Sequence, residues 1–143
     1  MKIREITGFD SKVFEAVLKL LPQLGPNSNL LSEKQFRKIL KSDNSHFIIA
    51  ELDNDEIAGM LTLGTYDILT GTKVWIEDVV VDKSLRGKGI GQELTMFAVR
   101  FAGSLDAKSV ELTSRPSRIA ANKLYQKLGF IQRETNVYRY DFK

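Results

Sequence analysis

Apolar positions recur along this chain with two periods, and the switches between them divide it into elements. Ile3 and Ile6 bracket the alternating segment KIREI, so Lys2–Ile6 is expected to be a short strand. From Ser11 the period becomes helical. Phe14, Val17, Leu18 and Leu21 share one face, predicting a helix over Ser11–Leu24 with Ser11 as N-cap and Leu24-Gly25-Pro26-Asn27 as the stop. A polar, turn-rich loop comes next, over Gly25–Leu31. Ser32 then caps a second helix carrying Phe36, Ile39 and Leu40 and ending near Lys41.

The period shortens again at Ser45. His46–Leu52 and Glu56–Tyr66 read as two strands joined by the turn Asp53-Asn54-Asp55, a hairpin. Gly59 and Gly64 weaken the second strand and mark a bulge or a close backbone approach. After a turn over Asp67–Thr72 comes an apolar strand, Lys73–Val81. Ile90, Leu94, Phe97, Ala98 and Phe101 form the stripe of an amphipathic helix. Ala107–Thr113 is expected as a strand and Pro116–Leu128 as a helix closed by Gly129. Phe130-Ile131 and Asn136–Phe142 complete the set as strands, the latter with Tyr138, Tyr140 and Phe142 on one face, read as core rather than as an interface. This order predicts a mixed α/β fold in a single domain spanning residues 1–143.

Composition narrows the chemistry. Hydrophobic content of 43% and charged content of 27% are those of a soluble globular protein. A formal net charge of +3 suits a phosphorylated ligand but is too small to indicate nucleic acid, and no basic run is interleaved with aromatics. Cysteine is absent and His46 is the one histidine, which excludes disulfides, thiolate metal sites and His-His zinc motifs, so no metal is expected. His46, inside SHFIIA, reads as a strand residue with a local hydrogen bond. The first ten residues lack the apolar core of a signal peptide, and no apolar run approaches the ~20 residues of a membrane span. A cytoplasmic protein without membrane contact is expected.

One stretch carries chemistry: Trp75–Leu94, WIEDVVVDKSLRGKGIGQEL. A strand leads through a glycine-rich basic loop into a helix, whose unpaired N–H groups suit a phosphate or pyrophosphate. A Walker A loop fails because Gly87-Lys88 is followed by Gly89. A dinucleotide fingerprint fails because Gln92 stands at the third required glycine. Arg86-Gly87-Lys88-Gly89-Ile90-Gly91 does match Arg/Gln-x-x-Gly-x-Gly/Ala. There the sequence resembles the GCN5-related N-acetyltransferase (GNAT) superfamily. The resemblance extends to the preceding strand, Val79-Val80-Val81-Asp82, and to Ala121-Asn122-Lys123-Leu124-Tyr125-Gln126-Lys127-Leu128-Gly129-Phe130. It also covers the order of elements along essentially the whole chain.

The resemblance implies a mixed, mostly antiparallel, twisted sheet that splays between its two central strands, flanked by about four helices. It implies acetyl-coenzyme A as donor and a small amine or a peptide amine as acceptor, joined by direct attack in a ternary complex. Backbone groups of Val79, Val80 and Val81 would align the pantetheine arm. The pyrophosphate would rest on Arg86, Gly87, Lys88, Gly89, Ile90, Gly91 and Gln92. Tyr125 resembles the family's general acid for the departing thiolate, and its phenol is suitably matched to a thiol. Asn122, one helical turn earlier, is placed to face the coenzyme, although the commoner pattern has asparagine where this chain has Arg118.

An attacking amine must first lose a proton. Glu77 is the expected base, because alternation sets it on the face of Val79 and Val81, whereas Asp78 points to the opposite face unless a bulge changes the register. The segment Ile76–Val81 also resembles the corresponding strand of glucosamine-6-phosphate N-acetyltransferases, which makes an amino-sugar phosphate a minority alternative, with Arg115 or Arg118 available for its phosphate. The rival from another class is a non-catalytic acyl-coenzyme A-binding module. A monomer or a homodimer fits the sequence equally.

Overall fold

The structure, a computed structural model, describes residues 1–25 and 30–143. It forms two compact units, Met1–Leu112 and Thr113–Lys143. The first contains strands β1 (Lys2–Ile6), β2 (Ser45–Glu51), β3 (Ile57–Ile68), β4 (Gly71–Val81) and β5 (Val110–Glu111). Its helices are α1 (Ser11–Leu20), α2 (Glu33–Lys41) and α3 (Ile90–Ser104), and α4 (Ile119–Lys127) lies in the second unit. The strands lie in one sheet in sequence order, antiparallel from β1 to β4 and parallel between β4 and β5. This is the mixed, mostly antiparallel α/β arrangement expected from the sequence.

Helix α1 starts one residue earlier than its expected cap implies. Asp10, not Ser11, is the N-cap, its Oδ1 accepting from the N–H of Lys12 (2.8 Å) and Val13 (3.2 Å). A carboxylate at that position also gains from the helix dipole. The α-helix ends at Leu20, and Leu21–Leu24 tightens into a 3-10 turn around Pro22, which has no N–H to continue the helix. The expected stop at Pro26-Asn27 lies outside the described residues. Ser32 caps α2 as expected, in a capping box with Gln35.

One face of the sheet is covered by α1 and α2. Val13, Val17, Leu20 and Phe36 bury against Phe47, Ile49, Met60 and Val80. Phe36 holds this layer together, 5.5 Å from the Phe14 ring and 5.4 Å from the Phe47 ring. The other face carries Ile48, Leu61, Leu63, Val74 and Ile76 and receives α3 through Leu94, Ala98 and Ala102, all buried. Gly59 lets α3 come close: a Cβ there would lie 2.8 Å from Val80 O and 3.0 Å from Leu94 Cδ1. The close approach foreseen at Gly59 is therefore real, while a Cβ at Gly64 would meet nothing within 4 Å.

The larger differences from expectation are at hairpins and at the C-terminal end. The turn expected over Asp67–Thr72 is mostly ladder: Asp67 pairs with Thr72 and Ile68 with Gly71, leaving a two-residue loop. The strand expected over Ala107–Thr113 shrinks to Val110–Glu111. Helix α4 starts at Ile119 rather than Pro116, because residues 116–117 form a turn in which the N–H of Arg118 donates to Arg115 O at 3.0 Å. Phe130-Ile131 and Asn136–Phe142 are not strands, and Tyr138, Tyr140 and Phe142 are exposed. Alternation marks which side chains would share a face, but a strand forms only where a neighbouring backbone completes the ladder. No helix among the described residues is long and apolar enough to cross a membrane.

Substituting Gly59→Ala is expected to destabilise the protein by about 1–3 kcal/mol, since the new methyl meets a carbonyl oxygen that cannot easily move. Urea unfolding of the two proteins measures this. An unchanged midpoint would mean that the β4 backbone at Val80 gives way to the methyl.

Candidate functional site

The site is built on the unequal pairing of β4. On one edge β4 is laddered to β3 from Gly71 to Val81. On the other edge the ladder to β5 consists of Val74↔Val110 and Trp75↔Glu111. From Ile76 onward this second edge has no strand partner among the described residues of the first unit. Its backbone amides are open to a strand-like ligand.

The paired edge contains a bulge. Glu77 pairs with Thr62 and Val80 with Met60, so Asp78 and Val79 together oppose Leu61. Asp78 has φ +53°, the left-handed conformation that glycine usually supplies at such a position. The extra residue reverses the alternation. Glu77 shares its face with Val80, on the α1–α2 side, whereas Val81 pairs with Gly59 on the α3 side. The expectation that Glu77, Val79 and Val81 share one face is thus corrected.

The bulge also turns Asp78 toward α1 and α2. It lines a cavity of about 550 Å³ between those helices and the sheet, with Met60 and Thr62 beside it on β3. No hydrogen-bond or cationic partner reaches its carboxylate among the described residues. Both Asp78 and Glu77 expose much of their surface, yet each carboxyl sits against the protein wall. Desolvation raises the pKa of Asp78. It raises that of Glu77 as well, aided by the negative charge of Asp78.

Beyond β4 the chain is pinned before it enters the loop. Asp82 is 5% exposed, and its Oδ1 accepts from the N–H and the hydroxyl of Ser84 at 2.9 and 2.7 Å. Its other oxygen lies 3.5 Å from Gln23 Nε2 and 3.7 Å from Lys19 Nζ. Asp82 meets little solvent, but few atoms pack around it, so the Ser84 hydrogen bonds outweigh desolvation and hold its pKa below the usual range. Its folded pKa is depressed. The stabilisation is therefore present above the unfolded value of about 4 and is lost as pH falls through the folded one.

Arg86 does not point freely outward. Its Nε donates to Val81 O at 3.1 Å, on the edge away from β3, since the next amide, Asp82 N–H, bonds Ala58 O of β3. Gly87 and Gly89 both have φ near +80° (80° and 81°), and Gly89 is the N-cap of α3 with no side-chain cap. The N–H groups of Ile90, Gly91 and Gln92 therefore start a helix without an intrahelical acceptor. Gly87 and Gly89 have open space around them, so backbone conformation is what demands glycine there. Thr95, fully buried, returns its hydroxyl to Gly91 O at 2.7 Å and steadies this first turn. Uncapped donors, a positive helix end and an open strand edge fit a ligand with an anionic head and an amide-bearing arm. No cluster that could hold a metal ion exists among the described residues.

Tyr125 belongs to the second unit. It is 7% exposed, and burial raises its pKa against the opposing charge of Arg118. Its spacing to Gly129-Phe130 has a structural cause. Phe130 N–H donates to Tyr125 O and Gly129 N–H to Gln126 O, at 3.0 and 3.1 Å, a Schellman cap with Gly129 at φ +98°. The Tyr125 and Phe130 rings, 5.8 Å apart, supply the apolar contact such caps usually carry. Asn122 is committed locally: its Nδ2 donates to Arg115 O and Arg118 O, both at 2.9 Å, and ties down the turn before α4. His46 is a strand residue as expected, but its hydrogen bond is not local: Nδ1 lies 2.8 Å from Glu5 Oε1 on the neighbouring strand β1.

Comparison with known proteins identifies what this arrangement is similar to. Residues 14–130 match the acetyltransferase (GNAT) family. The chain is 32% identical over 119 residues to the "Uncharacterized N-acetyltransferase YvbK" of Bacillus subtilis (strain 168), covering 78% of this chain and 75% of that protein. The fold is similar to that of the aminoglycoside acetyltransferase meta-AAC0020 from an uncultured soil metagenomic sample, with TM-score 0.87, 20% identity, and 99% and 96% of the two chains covered. It is also similar to glucosamine-6-phosphate N-acetyltransferase from Arabidopsis thaliana, with TM-score 0.80, 23% identity and 97% of each chain covered.

Asp78 is the residue whose placement the sequence did not reveal, and its left-handed backbone is costly for a side chain with a Cβ. Asp78→Gly should stabilise the fold by about 1 kcal/mol, and by more at pH 7 than at pH 3. The sign comes from the raised folded pKa, which makes the ionised carboxylate a cost that grows as pH rises from the unfolded value through the folded one. Chemical denaturation at the two pH values checks it; destabilisation at both would show that the bulge depends on the aspartate.

Proposed function

Since the chain belongs to the GNAT acetyltransferase family and is an acetyltransferase, we propose that residues 1–143 act as one domain that moves an acetyl group from acetyl-coenzyme A to a primary amine. The observation that most supports this reading is the junction of the open β4 edge with the uncapped start of α3. In this reading Val79 and Val81 offer backbone groups to the pantetheine arm, while Val80, which the sequence also suggested, faces β3 through its pairing with Met60 and holds the strand in place. Arg86, Gly87, Lys88, Gly89, Ile90, Gly91 and Gln92 receive the pyrophosphate, with Lys88 supplying charge. Asn122 contributes carbonyl and packing groups, its amide nitrogen being already engaged.

The reaction proposed is direct attack. The ammonium first gives one proton to a base, and its nitrogen then bonds to the thioester carbonyl carbon. The C–S bond breaks, the sulfur takes a second proton from an acid, and the nitrogen's remaining surplus proton passes to solvent as the amide forms. The carboxylate pair Glu77 and Asp78 receives the first proton, directly or through water, and their raised pKa values make them better bases than ordinary surface carboxylates. Tyr125 supplies the second. Its phenol stays protonated at neutral pH, and burial strengthens that preference.

Donor binding and chemistry are tested separately. Gly89→Val forces a β-branched residue into φ +81° and should weaken coenzyme A binding at least about 10-fold by calorimetry, the lost N–H contacts to the anion each being worth about 1.5–3 kcal/mol. Normal affinity in a folded Gly89→Val protein would remove the loop from the donor site. Tyr125→Phe should lower turnover by about 10²–10⁴-fold with coenzyme affinity unchanged.

The rate should fall as pH drops through a value above the ordinary carboxylate range. Whichever of Glu77→Gln and Asp78→Asn abolishes that limb identifies the base. If the limb survives in both, neither carboxylate takes the proton.

A further inference from the structure

The cavity lined by Asp78 has a composition that selects among amines. Its walls are apolar: Leu21 and Leu24 from the end of α1, Leu31, then Phe36 and Ile39 from α2, and Phe47 from β2. The polar side chains of the lining are Gln35, Lys38, Ser42, Ser45, Thr62 and Asp78, and two of these are partly engaged. Gln35 Oε1 accepts from Ser32 N–H at 2.9 Å within the α2 capping box, and Ser42 Oγ accepts from Asn44 N–H at 3.2 Å. Asp78 is the acidic side chain of the lining and Lys38 the basic one.

We infer that the acceptor is a monocationic primary amine on a largely apolar body, such as an arylalkylamine, with its ammonium on the Asp78 carboxylate and its body against Leu24, Leu31 and Ile39. Three features support that choice over an amino sugar or a polyamine. An amino-sugar phosphate brings several hydroxyls and a dianion, and a mostly apolar lining with Lys38 as its one cation among the described residues leaves much of that polar surface poorly matched. A polycation would find one carboxylate and one opposing lysine. A volume of about 550 Å³ lies in the range of small-molecule sites and has room for the whole body of such an amine. A single charge meeting a single countercharge among apolar walls gives orientation, while the walls give affinity. The ammonium at Asp78 is also where a proton must be removed, so for the chemical step after binding this inference rests on the transfer reading.

The test uses the full chain saturated with coenzyme A and measures amine binding by calorimetry, apart from turnover. 2-Phenylethylamine should bind at least tenfold tighter than glucosamine 6-phosphate or spermidine. The neutral isostere 2-phenylethanol should lose at least tenfold, which probes the charge without any mutation. Asp78→Asn should remove the preference for the amine over the alcohol, and Ile39→Ser should weaken both ligands alike. Tighter binding of the sugar phosphate or of spermidine, or equal binding of the amine and the alcohol, would overturn the inference. Acetyl transfer from acetyl-coenzyme A, followed as free thiol, separates the two claims. Amine binding without thiol release from any acceptor would leave the pocket assignment standing and sink the transfer reading, whereas thiol release that favours the sugar phosphate would do the reverse.

Discussion

Strand β4 is held along its whole length by β3 but by β5 over two residue pairs, and the rest of the site depends on that imbalance. A strand paired on both edges would have every amide satisfied and nothing to offer a ligand. A strand paired on neither would not be a strand. Here the β3 ladder supplies the order, and the open edge supplies unsatisfied backbone groups at a defined place. The α3 N-terminus then lies at the end of the same strand, brought there by the Asp82–Ser84 turn and the Arg86–Val81 contact.

The same ladder imposes the bulge. Two residues against one cannot be relieved by sliding, because Met60 and Val80 are locked in the core beneath α1 and α2 while Leu61 and Ile76 are locked beneath α3. Slippage by one residue would bury Glu77 or expose an apolar residue. The strain therefore stays at Asp78, whose side chain is turned into the α1–α2 cavity instead of following the strand's alternation. Strain and a cavity-lining carboxylate, unpaired among the described residues, coincide at one position, as expected where surrounding packing over-determines a backbone.

Tyr125 shows how one spacing can serve two ends. The interval from Tyr125 to Gly129-Phe130 closes a helix by a Schellman cap, which by itself accounts for the motif. The cap also keeps the phenol in an apolar setting where its proton is retained. The spacing thus has a structural account whatever the phenol does, and a Tyr125→Phe variant separates ring from hydroxyl because phenylalanine preserves the ring contact.

Much of this was legible in the sequence. Helical periods located α1, α2, α3 and α4, Ser32 announced the cap of α2, and the glycines from Gly87 to Gly91 announced a loop entering a helix. These are local effects, set by which residues follow one another within a turn or two. The ends of α1 and α4 shifted because Asp10 outcompeted Ser11 for two N–H groups and because the turn before α4 is tied down by Asn122. The C-terminal aromatics alternate like a strand, but alternation cannot supply a partner. The bulge lay beyond any local pattern. IEDVVV reads as one continuous strand, and nothing within it says that Leu61 will face two residues. The sequence by itself determined the elements, the helix caps and the anion-suited loop, because propensity and hydrogen bonding act over a few residues. Tertiary structure decided which of two adjacent carboxylates lines the cavity, because that is a matter of register between strands, and register is set by the packing on both faces of the sheet.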